Sequence, residues 1–135
     1  RTQRRADTKG ESMGANFVVV HPVLGAHDVP VTVAWYVDKL GFSRLFDDGG
    51  TPVRYAGVQR DGVEIHIQWH GVESFAGPDG DCPAYRFVVD DPDALFAEYS
   101  AKGVAGAPVR DTPWGTREFG VYDPNGMALS FYRNL

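Results

Sequence analysis

The stretch RDGVEIHIQW, residues 60–69, is matched by PNGMALSFYR, residues 124–133. Gly62 aligns with Gly126, Ile65 with Leu129, His66 with Ser130 and Ile67 with Phe131. Each piece opens on a hairpin dipeptide, Asp61-Gly62 or Asn125-Gly126, and then reads as a strand. In extended backbone Val63, Ile65, Ile67 and Trp69 share one side, and Glu64, His66, Gln68 and His70 share the other. A row of one acid, two imidazoles and an amide suits a metal site, or a solvated or ligand-lined sheet face.

The repeat extends upstream. Residues 17–41 read as an apolar strand followed by HDVPVTVAWYVDKLG, and residues 84–103 read AYRFVVDDPDALFAEYSAKG. In both, a strand ends at an aspartate (Asp28, Asp91), a proline follows, and an amphipathic helix of about three turns closes on a glycine (Gly41, Gly103). The aspartates are expected helix caps. Two more strand-like runs lie between helix and turn in each half, at 42–47 and 52–59, then at 106–110 and 116–122. The two copies are offset by 63 from Asp28 to Asp91 and by 64 from Gly62 to Gly126.

Each half thus reads β-α-β-β-β, and one half alone has too little core to stand by itself. The expected fold is α+β. Two βαβββ modules, about 16–75 and 82–135, form a half-open, barrel-like sheet with the helices outside, paired within one chain or between chains. Ile65, Ile67, Leu129 and Phe131 would pack toward the helices, while His66 and Ser130 would face the concave side. Residues 1–15 read as a flexible tail ahead of a single domain, 16–135.

Bulk composition narrows the partners. Of 135 residues, 43% are hydrophobic and 23% charged, the balance of a soluble globular chain. The net charge is -5, and because residues 1–12 carry four basic and two acidic side chains, the remainder holds -7. That speaks against a nucleic-acid partner and favours a cationic ligand. Cys82 is the only cysteine, so no intrachain disulfide forms and the expected location is the cytoplasm. No apolar run reaches membrane-spanning length, so no membrane partner is expected. The basic start and ANFVVVHPVLGA resemble a secretion signal only faintly, because the apolar run is short and broken by His21 and Pro22.

The paired β-α-β-β-β units over about residues 16–134 resemble the vicinal oxygen chelate superfamily, which includes glyoxalase I, extradiol dioxygenases, fosfomycin-resistance enzymes and bleomycin-resistance proteins. The segment DTPWGTREFGVYDPNGMALSFYR, 111–133, carries PWG-x-RE followed by DP-x-G and looks like the bleomycin-resistance branch. That resemblance implies a small-molecule binding protein. It would be a homodimer that sequesters a bleomycin-like or related natural product in a crevice between subunits, with no bond broken and no catalytic residue.

Metal-dependent members take ligands from the first and last strands of each half. By position those places are His21, His66, Ala84 and Ser130. Ser130 stands where such members carry a glutamate and Ala84 where a histidine is common, so the resemblance implies no resident cofactor. His21 and His66 remain the only metal candidates. Glu64 and His70 share the His66 face, but strand neighbours two apart are about 6.5–7 Å from one another, so convergence on one ion would need local distortion. The alternative reading is a metal-dependent lyase, isomerase or dioxygenase that uses His21 and His66 with a third ligand. A binder of some biosynthetic or regulatory small molecule is a third.

The expected ligand-binding set is His66, Glu64, Trp114, Arg117, Ser130, Tyr132, Phe46 and Tyr55. Trp114 lies in the turn TPWGT, where an indole is exposed or covers a pocket, and Phe46, Tyr55 and Tyr132 are candidate walls. Aromatic rings with a few polar groups suit a flat heteroaromatic ligand, and the surrounding acids would draw a positive tail. Arg117 and Glu118 point to opposite faces of a strand, so at most one of them lines the cleft. Trp35 and Trp69 read as core, and His27 and His70 as surface residues beside turns. DDGGT (47–51) and GPDGD (77–81) lack the lysine and following helix of a phosphate loop. Ser43, Ser74, Ser100 and Ser130 have no nucleophile-elbow context.

Overall fold

Two aspartates start the two helices. Asp28 accepts the Val31 N–H at 3.1 Å, and Asp91 accepts the Ala94 N–H at 3.0 Å. Helix α1 spans Val29–Leu40 and α2 spans Pro92–Ala101, each with a proline in its first turn. Gly41 ends α1 in the left-handed region at φ 76°, which glycine adopts without a Cβ clash. The structure is a computed structural model and describes residues 14–71, 75–76, 84–104 and 106–135. Most of the expected tail, the 77–81 loop and Cys82 lie outside the described residues.

Strands β1 (Val23–Ala26), β2 (Ser43–Asp47), β3 (Tyr55–Arg60) and β4 (Val63–Trp69) form one sheet in the order β1-β4-β3-β2. Strands β5 (Ala84–Val88), β6 (Arg110–Asp111), β7 (Thr116–Tyr122) and β8 (Ala128–Asn134) repeat that order as β5-β8-β7-β6. In both sheets the first and fourth strands run parallel and the other pairs antiparallel. Asp61 and Gly62 both take positive φ, 50° and 81°, the conformation a two-residue type I′ hairpin requires. The matching turn at Asn125-Gly126 is wider. Asp123 N–H donates to the Met127 carbonyl, and only Gly126 has positive φ, at 85°.

The register makes the sequence repeat physical. Val58 faces Ile65 and Leu24 faces Ile67 on one side of the first sheet; Phe119 faces Phe131 and Tyr85 faces Leu129 in the second. These residues form one apolar cluster with Val29, Val33, Tyr36 and Leu40 of α1 and Tyr99 of α2. Each helix covers its own sheet, and the two halves meet at their helices and hairpin turns. Tyr36 O–H donates to Asp123 Oδ2 at 2.8 Å, and Asn125 Nδ2 donates to Thr32 Oγ1 at 3.0 Å. At the pseudo-equivalent place Arg60 forks onto Glu98 at 2.8 and 3.0 Å, while Tyr99 O–H reaches the Leu40 carbonyl at 3.1 Å. Burial, and then Asp123, push the Tyr36 phenol well above its ordinary range. Among the described residues no strand pairing joins the two sheets, so their uncovered faces remain two separate walls.

Three expectations need correction. The first strand starts at Val23 rather than near residue 17, and Phe17–Val20 run outside any sheet with Phe17 fully exposed. Pro22 lacks an N–H and cannot donate to the ladder, although its carbonyl still accepts from the His66 N–H at 2.9 Å. Trp69 is 41% exposed rather than buried, because it lies at the end of β4, and the Arg54 guanidinium covers its ring 3.7 Å from the centroid. The run at 106–110 shrinks to the two-residue β6, Arg110–Asp111.

Candidate functional site

The uncovered face of the first sheet collects the polar row of β4. His66 Nε2 lies 2.7 Å from Glu64 Oε2, and Tyr55 Oη lies 2.7 Å from His66 Nδ1. His21, just ahead of β1, brings its Nε2 to 3.5 Å from Glu64 Oε1 and its ring to 4.7 Å from that of His66. The Glu64 side chain is only 5% exposed, so this carboxylate is held among imidazoles instead of water. Glu64 and His66 therefore meet in a direct hydrogen bond. Their Cα atoms are two residues apart, but both side chains are long enough to bend toward each other over the sheet.

An aromatic wall adjoins this cluster. A bulge between Arg44 and Phe46 shifts the register of β2 and sets Phe46 opposite Gly57. The Phe46 ring meets His66 edge-on at 5.2 Å, and Tyr55 does so at 5.4 Å. Further along the same face, Phe75 stacks on His27 at 4.5 Å above Gly25. A cleft of about 1030 Å³ runs past this edge, lined by Val18–Pro22, Glu64, Tyr85 and Arg86 among others.

The second sheet presents a different set. Arg86 on β5 pairs with Glu118 on β7 at 3.1 Å, reaches Ser130 Oγ at 3.4 Å, and lies 4.2 Å over the Tyr132 ring. Glu118 also accepts from Thr116 Oγ1 at 2.6 Å and from Trp114 Nε1 at 3.3 Å. Arg86, more than any other partner, holds the Glu118 carboxyl below its ordinary range, with help from Thr116 and Trp114. Trp114 is 61% exposed and Ser130 and Tyr132 are half-buried, all open to a guest from that side.

The expected site residues thus fall into two groups. His21, Glu64, His66, Phe46 and Tyr55 meet on the first sheet, and Trp114, Ser130 and Tyr132 on the second. Arg117 joins neither. It donates to Asp93 at 2.8 Å through both Nε and Nη2, and to Asp111 at 2.9 Å. The strand's alternation turns it toward α2, and Glu118 occupies the open face in its place. Sequence reading passed over Arg86 as well, although its position between Tyr85 and Phe87 in an alternating strand was a usable signal.

Comparison with known proteins resolves the ancestry of this arrangement. The sequence profile of the Glyoxalase/Bleomycin resistance protein/Dioxygenase superfamily matches residues 18–131. The chain belongs to this superfamily. Within it, a bleomycin-binding protein from bleomycin-producing Streptomyces verticillus, solved with copper(II)-bleomycin, is 34% identical; the match covers 90% of this chain and 99% of that one, with a TM-score of 0.72. The bleomycin resistance protein of Geobacillus stearothermophilus is 26% identical over 132 residues, covering 84% of this chain and 95% of the relative. TioX from Micromonospora sp. ML1 is 26% identical, with 87% and 100% coverage and a TM-score of 0.69.

The four-place metal centre of this superfamily's metal-dependent members does not fit this chain. Ala84 carries no donor, and Ser130 Oγ is engaged with Arg86 at 3.4 Å. Among the described residues what remains is the His21, Glu64 and His66 cluster, contributed by the first half alone.

Proposed function

We propose that this protein is a homodimeric antibiotic-binding protein that captures a bleomycin-like natural product in the cytoplasm and holds it without chemical change. The observation that carries this reading is the 34% identity, over 90% of the chain, to the bleomycin-binding protein of Streptomyces verticillus. The two open sheet faces support it. One offers Phe46, Tyr55 and His66, the other Trp114, Tyr132 and Glu118, so that two copies facing each other would enclose a flat aromatic guest between unlike walls. The exposed apolar run Phe17–Val20 supports a dimer, since a monomer gains nothing by leaving it in water. The net charge of -5 and the ionised Glu118 would attract a cationic tail.

The test is a titration with bleomycin followed by tryptophan fluorescence, alongside sedimentation of the free protein. Saturable binding near one drug per subunit, lost in large part on Trp114→Phe, is the expected result. An unchanged spectrum at micromolar drug would sink the reading.

A further inference from the structure

We propose that one of the two seams between the halves is a second ligand site, which takes a small amphipathic amine. The inference does not rest on drug capture, because the site lies on the helix side of the sheets and not on their open faces. Its walls are the β3–β4 hairpin of the first half and the β5–α2 corner of the second, around a cleft of about 430 Å³. Ligand pockets run from about 300 to 1,000 Å³, so the size is suitable. Val63 and Phe87 separate it from the larger cleft beside Glu64, which they also line.

The fold does not require this opening, since the pseudo-equivalent seam is closed. There the Asn125 side chain donates to Thr32 Oγ1 at 3.0 Å and accepts the His27 N–H at 3.1 Å, and Met127 is 2% exposed. By the repeat offsets, the open seam carries Asp61 for Asn125, Leu95 for Thr32 and Val63 for Met127. Leu95 offers the hairpin no acceptor, and Asp61 has no amide to donate. The Asp61 side chain is instead 91% exposed, with Arg60 Nε 3.8 Å away. Val63 is shorter than methionine and stays 48% exposed. Three replacements at matched positions thus leave unfilled the room that the other seam fills.

The lining selects the guest. Its floor is aromatic: Phe42, Tyr99 and Phe131 are buried, Phe87 stacks on Phe131 at 5.2 Å, and Tyr99 meets Phe131 edge-on at 5.5 Å. Its rim carries Asp61, Asp90, Asp91 and Glu98 against one cation, Arg60. Arg60 is engaged by Glu98 at 2.8 and 3.0 Å, and the positive end of α2 is already met by Asp91. The excess charge is negative. An apolar body with an ammonium head therefore matches both floor and rim, whereas a carboxylate would meet like charge.

The test titrates phenylbutylammonium into the full chain and follows its backbone and methyl NMR signals. Phenylbutanol and phenylbutyrate serve as the neutral and anionic counterparts, and no drug is present, so this site and drug capture can fail separately. Half-saturation below about a millimolar is expected for an amine of this size. Saturating shifts should fall at Val63, Val88 and Leu95. The alcohol should bind about threefold and the acid about tenfold more weakly, as exposed charges contribute modestly. Val63→Met, which copies the closed seam, should weaken amine binding by about tenfold without lowering the melting temperature. Replacing Asp61 and Asp90 together by Asn should narrow the preference for amine over alcohol. Absence of saturating shifts would overturn the site, as would shifts confined to the open faces at His66 and Trp114 or unchanged affinity in Val63→Met. Tighter binding of the acid than of the amine would overturn the choice of ligand. If Val63→Met does not fold, the wild-type shift map and the ranking of the three probes decide.

Discussion

Phe46 occupies the space that a side chain on Gly57 would need. A Cβ at position 57 would stand 2.2 Å from Phe46 Cε2 and 2.7 Å from Cζ, well inside van der Waals contact. The obstructing atoms are the far end of a 38% exposed ring, so the ring can swing away while the strand stays paired. Gly57→Ala should therefore change stability by less than about 1 kcal/mol. It should also lift the aromatic wall away from His66 and weaken ligand binding several-fold, since such ring contacts contribute about 0.5–1.5 kcal/mol. Paired melting curves and ligand titrations check this; a large stability loss with unchanged affinity would place Phe46 outside the binding wall.

Arg86 lies between two groups that a cationic guest would want. It neutralises Glu118 at 3.1 Å and covers the Tyr132 ring at 4.2 Å. Replacing it with alanine leaves Glu118 bonded to Thr116 and Trp114, still ionised, and uncovers the ring. The pair is partly exposed, so its loss should cost less than about 1 kcal/mol of stability. Affinity for a cationic ligand should rise in Arg86→Ala, and its dependence on salt should steepen. Isothermal titration at two ionic strengths measures both. Weaker binding in the variant would mean that Arg86 itself contacts the guest.

The helix-facing half of the molecule was legible in the sequence because apolar periodicity and capping chemistry are local signals. Asp28, Pro30 and Gly41 mark α1 without reference to anything distant, and the alternation of Ile65 and Ile67 fixes which side of β4 is buried. The open faces were less legible. The Arg44–Phe46 bulge that aims Phe46 at His66 leaves no mark in the composition of SRLFD, and the contact exists only because residue 57 opposite it is glycine. Glu64 and His66 could be placed on one face, but their direct 2.7 Å contact depends on side-chain conformations that the alternation does not specify. Arg117 and Glu118 could be assigned to opposite faces but not to particular ones. That choice depends on Asp93, which is 24 residues away and on a helix.

Asp123 ties the halves together at the cost of burying a carboxyl group. It accepts from Tyr36 Oη at 2.8 Å and from the N–H groups of Asn125 at 2.8 Å and Met127 at 3.0 Å, yet burial dominates and raises its pKa. For an acid whose folded pKa is raised, the linked stability is full below the unfolded value, about 3.9, and is lost as pH rises through the folded one. Asn at this position keeps an acceptor for the backbone and does not titrate. The stability of Asp123→Asn relative to wild type should therefore climb as pH rises above about 4, then level off. Asp123→Ala, which strands the phenol and both N–H groups, should cost about 2–3 kcal/mol at acid pH, and its gap to wild type should narrow as pH rises. Urea denaturation from acid to neutral pH follows both variants, and a pH-independent gap for Asp123→Asn would contradict the raised pKa.

Tyr99 offers the same linkage at the alkaline end. Its hydroxyl donates to the Leu40 carbonyl at 3.1 Å, and burial, the largest influence, pushes its pKa up to about 12. An unfolded tyrosine ionises near 10. The stability tied to its neutral form is therefore complete below about pH 10 and drains away between there and pH 12. Tyr99→Phe should cost about 1 kcal/mol near neutral pH, because Leu40 keeps its second donor, Arg60 Nη1 at 2.8 Å. The variant should also unfold less steeply with rising alkalinity. Some of the slope should survive, since the Tyr36 phenol is likewise raised by burial and still titrates on unfolding. Denaturant midpoints from pH 8 to 11 test the pair, and a wild-type slope retained in Tyr99→Phe would assign the alkaline transition to Tyr36 alone.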